Sequence, residues 1–210
     1  MFDLDGTLVD SRRDIADAAN ALLVSCGAAP ISEDRIGDMV GDGAATLVAR
    51  AFSACGLQPP PDSLQRYLAM YEERLLNHTR PYAGIPEVLE TIGRRASLAV
   101  LTNKPIGPTR RILEALDLAR HFPADAVLGG DGPFARKPDP AALLQLVERA
   151  NTSARDTVMV GDSAIDWQTA RAAGTAVCLV RYGFGFNGIL LHELAPEDRV
   201  ITAPKELLGL

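Results

Sequence analysis

Cysteine is scarce in this chain. Only Cys26, Cys55 and Cys178 occur, far apart and with no CxxC pair, which argues against a disulfide framework or a zinc knuckle. Each lies in an apolar stretch and reads as a small buried hydrophobe. Histidine is as sparse: His78, His121 and His192 share no ligand spacing, so no histidine metal centre is expected. Basic residues are not in excess. The net charge is −6, which argues against nucleic acid as a partner, because neutralising a phosphate backbone needs clustered Lys and Arg. No basic-then-apolar segment opens the chain, and no apolar run reaches transmembrane length. The expectation is a cytoplasmic protein without a membrane partner. Repeats and low-complexity tracts are missing too, apart from the short Pro59-Pro60-Pro61 linker.

What is present is ordinary globular composition. Hydrophobic residues make up 47% and charged residues 23%, enough to bury a core. Two styles of sequence alternate along it. Residues 13–78 read as all helix. Ser11 is placed to cap the first helix, with Asp14 as its capping-box partner. Ile15, Ala18, Ala19, Leu22, Leu23 and Cys26 then form one helical stripe, closed by Gly27. Ser32 opens a short segment. Leu47, Val48, Ala51, Phe52 and Cys55 make a second stripe, and Leu64, Leu68, Tyr71 and Leu75 a third.

From about residue 82 short apolar runs alternate with helices. Strands are expected at 98–101, 126–128, 157–160 and 176–180, with helices near 86–95, 108–119, 140–150 and 163–173. Pro86 and Pro140 suit the first helical position, and Gly174 suits a C-terminal cap. Met1-Phe2-Asp3-Leu4 looks like the end of one more strand. The fold class is therefore α/β: a parallel-sheet, Rossmann-like core with an inserted α-helical subdomain. The core is expected from residues 1–12 and 82–210, and the insert from 13–81. Ligands of such sheets bind beyond the carboxyl ends of the strands.

Chemistry-bearing residues follow the apolar runs. In Asp3-Leu4-Asp5-Gly6-Thr7, alternation along an extended segment points Asp3 and Asp5 the same way. Two close carboxylates repel unless a cation lies between them or one is protonated. Alone, this string could be an acidic turn. Thr102 and Asn103 follow Ala99-Val100-Leu101, where a hydroxyl and the following amides could hold a phosphate oxygen. Lys137 sits between Arg136 and Pro138 in a segment stiffened by prolines. Gly161-Asp162-Ser163-Ala164-Ile165-Asp166 follows Val158-Met159-Val160. Asp162 could merely cap the next helix. Read as two like charges four apart on one helix face, however, Asp162 and Asp166 would cost ~0.2–0.5 kcal/mol, and a bound cation would remove that penalty. Hard oxygen ligands beside a phosphate suit Mg²⁺ better than zinc. Each signal is modest alone. Their order, and their placement after four separate strands, makes the set specific for phosphoryl transfer.

With these motifs the chain resembles the haloacid-dehalogenase-like superfamily of phosphatases over essentially its whole length. The resemblance implies that Asp3 is the nucleophile and Asp5 the general acid, then the base. It implies that Thr102, Asn103 and Lys137 bind the phosphoryl group. Asp3, Asp5 (through its carbonyl) and Asp162 would hold Mg²⁺, with Asp166 in support, and the helical insert would be a cap. Members of that superfamily usually carry several apolar residues before the first motif. Here only Met1 and Phe2 precede Asp3, so a shortened strand or a start upstream is expected. Asp5 sets the chain apart from the dehalogenases, which lack an acid there. The cap stretch Val40-Gly41-Asp42-Gly43, with Arg80-Pro81-Tyr82 and Arg181-Tyr182-Gly183-Phe184, resembles the phosphoglycolate phosphatases. That resemblance implies a small phosphate ester, 2-phosphoglycolate first. Sugar phosphates, nucleotides, pyrophosphate and a β-phosphoglucomutase-like transfer are the alternatives. Gly41, Asp42, Gly43 and Arg50 are the cap's substrate candidates, the glycine stretch alternatively a flexible helix start, and Arg50 a carboxylate partner unless it is, as a helix arginine more often is, simply solvated.

Overall fold

The computed structural model describes all residues except Asn187, Gly188 and Leu190. After the first acidic segment the chain forms the short strand β1 (Val9–Asp10). Four helices follow: α1 (Arg12–Ser25), α2 (Glu33–Gly37), α3 (Ala44–Ala54) and α4 (Ser63–Glu72). Then β2 (Arg80–Pro81) pairs antiparallel with β1, so one two-residue ribbon carries the chain out to the helices and back. The rest alternates: α5 (Ile85–Ile92), β3 (Val100–Leu101), α6 (Ile106–Ala115), β4 (Val127–Leu128), α7 (Ala141–Arg149), β5 (Val158–Gly161), α8 (Ala164–Ala173), β6 (Ala176–Val180) and β7 (Arg199–Ile201).

The sheet is parallel throughout. β3 pairs with β4, and β5 with β6 and then β7. Phe2 joins the two halves through parallel bridges to both Val100 and Val160. The expected first strand is thus a single bridging residue, which sets Asp3 at the carboxyl end of the middle of the sheet. Side chains alternate across the pleat. Val100, Val160, Cys178 and Val180 face a core shared with Val88 and Leu89 of α5 and Ile112 and Leu113 of α6. Leu101, Met159, Val177 and Leu179 face the other side, against Leu143 and Leu146 of α7 and Ala170 of α8. Burial on both faces is why these strands read as continuous apolar runs.

Several local expectations need correction. Ser11 does not cap α1 with its side chain; its hydroxyl donates to Asp5 Oδ1 at 2.5 Å. Asp14 is fully buried and accepts instead from the amides of His78 (3.0 Å) and Thr79 (2.8 Å) and from the Thr79 hydroxyl (2.7 Å). It therefore ties the returning chain to α1 at the ribbon. His78 also comes near Asp14 and Asp17, but those backbone donors already occupy Asp14. Of the stripe expected on α4, Tyr71 is buried, as is Leu75 just beyond the helix, and Leu68 is half-buried, but Leu64 is exposed and Tyr67 is buried in addition. Pro140 is the N-cap of α7 rather than its first residue. Cys178 is buried, but Cys26 and Cys55 are only partly so. β1, β2 and β7 were not expected at all; each is three residues or fewer, too short for a periodic signal.

Candidate active site

Three buried carboxylates meet at the carboxyl end of the sheet. Oxygens of Asp3, Asp162 and Asp166 lie within 4.8 Å of one another. Lys137 reaches in from the segment before α7. Its Nζ is 2.9 Å from Asp3 Oδ1 and 2.6 Å from Asp166 Oδ1. Asp5 stands beside this group, and its two oxygens accept from Lys104 Nζ at 3.0 and 2.8 Å.

Each side chain is held by local chemistry. Asp166 is the third residue of α8 and forms a reciprocal capping box with Ser163. Asp162 is therefore neither the cap nor on the helix. It follows β5 directly, ahead of the Ser163 cap, so the like-charge argument along one helix face does not apply. Its Oδ2 accepts from the amides of Phe184 (3.0 Å) and Gly185 (2.7 Å). Gly6 has φ +81°, and a Cβ there would run into the Asp162 carboxylate. A Cβ at Gly183 would meet both the Gly6 carbonyl and the Asp162 side chain. Thr102 is buried at the end of β3, its hydroxyl accepting from the Lys104 amide at 3.2 Å. Asn103 acts as a staple. Its Nδ2 donates to the carbonyls of Gly41 (2.8 Å) and Lys137 (2.9 Å), and its Oδ1 accepts from the Lys137 amide (2.9 Å). One side chain thus joins the α2–α3 connection to the segment that carries Lys137. The Lys137–Pro138 peptide is cis.

Electrostatics follow from burial and crowding. Burial, with help from Asp166 and Asp5, pushes the Asp3 carboxyl up to about 6 against the opposing pull of Lys137. Burial also raises Asp162 well above the ordinary carboxylate range, reinforced by Asp166 and Asp3 and opposed by the two amides. For Lys137, burial disfavours the ammonium, but Asp166 and Asp3 outweigh it and hold its pKa above that of an ordinary lysine. Three clustered carboxylates facing one ammonium leave an excess of negative charge out of water, which is costly unless a cation joins them. An all-oxygen donor set of this kind fits a hard divalent ion.

A cavity of about 60 Å³ opens over the acidic group, between the sheet end and α3 and α4. Gly41 and Gly43 line it. Asp42 and Arg50 are not in its wall. They pair with each other at 2.6 Å, and Arg50 also donates to the Met39 carbonyl at 3.1 Å. Arg50, read from sequence as a carboxylate partner, is thus engaged elsewhere. Lys104, Ser11, Ser163 and the Phe184–Gly185 amides were missed. Lys104 had a usable signal, its place just past a strand end beside Thr102.

The haloacid dehalogenase-like hydrolase model matches residues 1–180. The chain belongs to that family. A phosphoglycolate phosphatase from Rhodospirillum rubrum is 43% identical over 193 residues, covering 88% of this chain and 79% of the relative. An N-acetylmuramic acid 6-phosphate phosphatase from Pseudomonas aeruginosa is 31% identical, covering 100% of this chain and 92% of that protein. Among solved structures, a predicted phosphoglycolate phosphatase from Haemophilus somnus superposes with a TM-score of 0.89 at 29% identity, covering 99% and 95% of the two chains. This member of the haloacid dehalogenase-like family is a phosphatase. Hydrolases of the family need a divalent metal, and the Asp3–Asp162–Asp166 group is the acidic cluster that suits one. Among the described residues, no helix is long and apolar enough to cross a membrane.

Proposed function

We propose that the chain hydrolyses 2-phosphoglycolate to glycolate and phosphate through an aspartyl-phosphate on Asp3. The supporting observation is the convergence of Asp3, Asp162 and Asp166 on one point with Lys137 beside Asp3. Asp3 and Asp162 would hold Mg²⁺, joined by the Asp5 carbonyl, with Asp166 in support. The ion would supply positive charge to the phosphoryl oxygens.

In the first half-reaction the Asp3 carboxylate attacks phosphorus and the bond to the ester oxygen breaks. Asp5 gives its proton to the leaving glycolate oxygen. In the second half, Asp5, now a carboxylate, takes a proton from water. That water attacks phosphorus, the bond to Asp3 breaks, and phosphate leaves. Lys137 and Thr102 bind the phosphoryl oxygens. Asn103, beside Thr102 in the cavity wall, joins them in binding the phosphoryl group, and its side chain positions Lys137 through two hydrogen bonds to the Lys137 backbone. We assign residues 1–12 and 82–210 to the catalytic core and 13–81 to a cap that closes over the substrate.

The cavity's small size favours a small ester over a nucleotide. The names of the relatives favour 2-phosphoglycolate, with a sugar phosphate as the second reading. A panel of 2-phosphoglycolate, hexose phosphates, a nucleotide and pyrophosphate, assayed for released phosphate with Mg²⁺ and with EDTA, tests this. The expected result is Mg²⁺-dependent release with the highest kcat/KM on 2-phosphoglycolate. A sugar ester preferred over it, or isomerised sugar as the product, would overturn the assignment.

A further inference from the structure

The cavity over Asp3 holds one cationic side chain among its described lining residues, Lys104. Lys137, its Nζ held between Asp3 and Asp166 at the edge of the acidic group, is not among those lining residues. Lys104 is itself buried, its side chain 6% exposed, and spans both oxygens of Asp5. Its ammonium sits 4.5 Å from the ring centre of Tyr71, which also lines the cavity. The Tyr71 hydroxyl is buried and has no hydrogen-bond partner among the described residues. A buried donor left unpaired costs free energy that a ligand's acceptor would recover. Other parts of the wall, such as Ile15, Leu47, Leu68 and Pro108, are apolar and offer an anion nothing.

Asp5 must reach the leaving oxygen, yet Ser11 and Lys104 together occupy its carboxylate. An anionic group close to the ester oxygen would compete for the ammonium and free Asp5. A phosphate ester without such a group would leave the ion pair in place.

We propose that Lys104, with the Tyr71 hydroxyl as a second donor, is the specificity determinant that recognises the substrate's carboxylate and moves from Asp5 to it on binding. This rests on the assignment of 2-phosphoglycolate as substrate and adds which residues read it. Lys104 is a flexible point charge on a four-carbon stem, suited to such a transfer. Arg50 has no part in it, being tied to Asp42.

The test compares kcat/KM for 2-phosphoglycolate and ethyl phosphate, which differ in the carboxylate, in wild type, Lys104→Met and Lys104→Arg. The preference of wild type for 2-phosphoglycolate should fall about 10- to 100-fold in Lys104→Met, the range for a lost charge-assisted hydrogen bond. The loss on 2-phosphoglycolate should appear mainly in KM, because removing Lys104 also frees Asp5, and kcat on ethyl phosphate should not fall. Lys104→Arg should keep part of the preference, and glycolate should inhibit ethyl phosphate turnover by wild type but not by Lys104→Met. If both esters lose activity equally in Lys104→Met, Lys104 serves Asp5 alone and the inference fails while the substrate assignment stands. If wild type shows no preference for the carboxylated ester, the substrate assignment fails and takes this inference with it. Should Lys104→Met not fold, an Lys104→Arg protein with a partly reduced preference and weakened glycolate inhibition supports the inference, and an undiminished preference with unchanged inhibition refutes it. Loss of activity on both esters alike refutes it.

Discussion

The Lys137 ammonium lies 2.9 Å from the Asp3 carboxylate, joining the first acidic residue of the chain to a loop that precedes α7. Asp166 shares the same ammonium at 2.6 Å. Lys137 therefore neutralises part of a cluster that burial would otherwise drive toward protonation. It leaves enough negative charge for a divalent ion to bind.

Replacing Asp3 by Asn keeps the shape of the side chain and removes the nucleophile. Turnover should fall by at least about 100-fold, the lower end of what a lost catalytic group costs, with the circular dichroism spectrum unchanged. Phosphate release above ~1% of wild type would exclude Asp3 as the attacking group.

Asp162→Ala should act on metal affinity more than on substrate. The Mg²⁺ concentration for half-maximal activity should rise at least about 10-fold, by analogy with losses at residues supporting metal sites. A Mg²⁺ titration that superimposes on that of wild type would remove Asp162 from the ligand set.

The raised carboxyls predict a pH dependence in EDTA. The folded protein holds a proton on Asp3 up to about 6, whereas the unfolded chain releases it near the ordinary value of 3.8. Between those values the unfolded state binds fewer protons, so this group's contribution to stability falls as pH rises. Asp162 is shifted in the same direction. Wild type should lose Tm relative to Asp3→Asn as pH climbs through that window, and Mg²⁺ at neutral pH should restore it. A wild-type Tm that gains on the variant over the same range would contradict the assignment.

Asn103→Ala deletes three hydrogen bonds at once and leaves the buried Lys137 amide unpaired. Urea unfolding should show a loss of roughly 2–4 kcal/mol, from about 1 kcal/mol per bond plus the cost of the orphaned group. If Asn103 positions Lys137, kcat should fall as well. Unaltered stability together with unaltered kcat would reduce it to a surface contact.

The α/β alternation was legible because strands buried on both faces are continuously apolar, and four of them stand out at once. The acidic motifs were legible because each follows such a run. Lys104 was harder to read. Its spacing gives no sign that the side chain turns back to Asp5 rather than out to solvent. Arg50 looked available for the opposite reason, since nothing in the sequence says that Asp42 captures it. On α4 Tyr71 was read correctly, but Leu64 stands exposed and Tyr67, stacked on Tyr71, is buried, because the packing partner, α1, decides how far the inward face extends.

The sequence by itself determined which residue types stand at the strand ends, and hence that phosphoryl chemistry with a hard metal ion is available. Such local order is set by periodicity and turn chemistry, which act over a few residues. Only the tertiary structure decided which charges pair: Lys137 with Asp3 and Asp166, Lys104 with Asp5, Arg50 with Asp42. Those pairings depend on distances of a few ångströms between segments far apart in the chain. Coulomb energy and desolvation change steeply over that range, and no one-dimensional pattern encodes it.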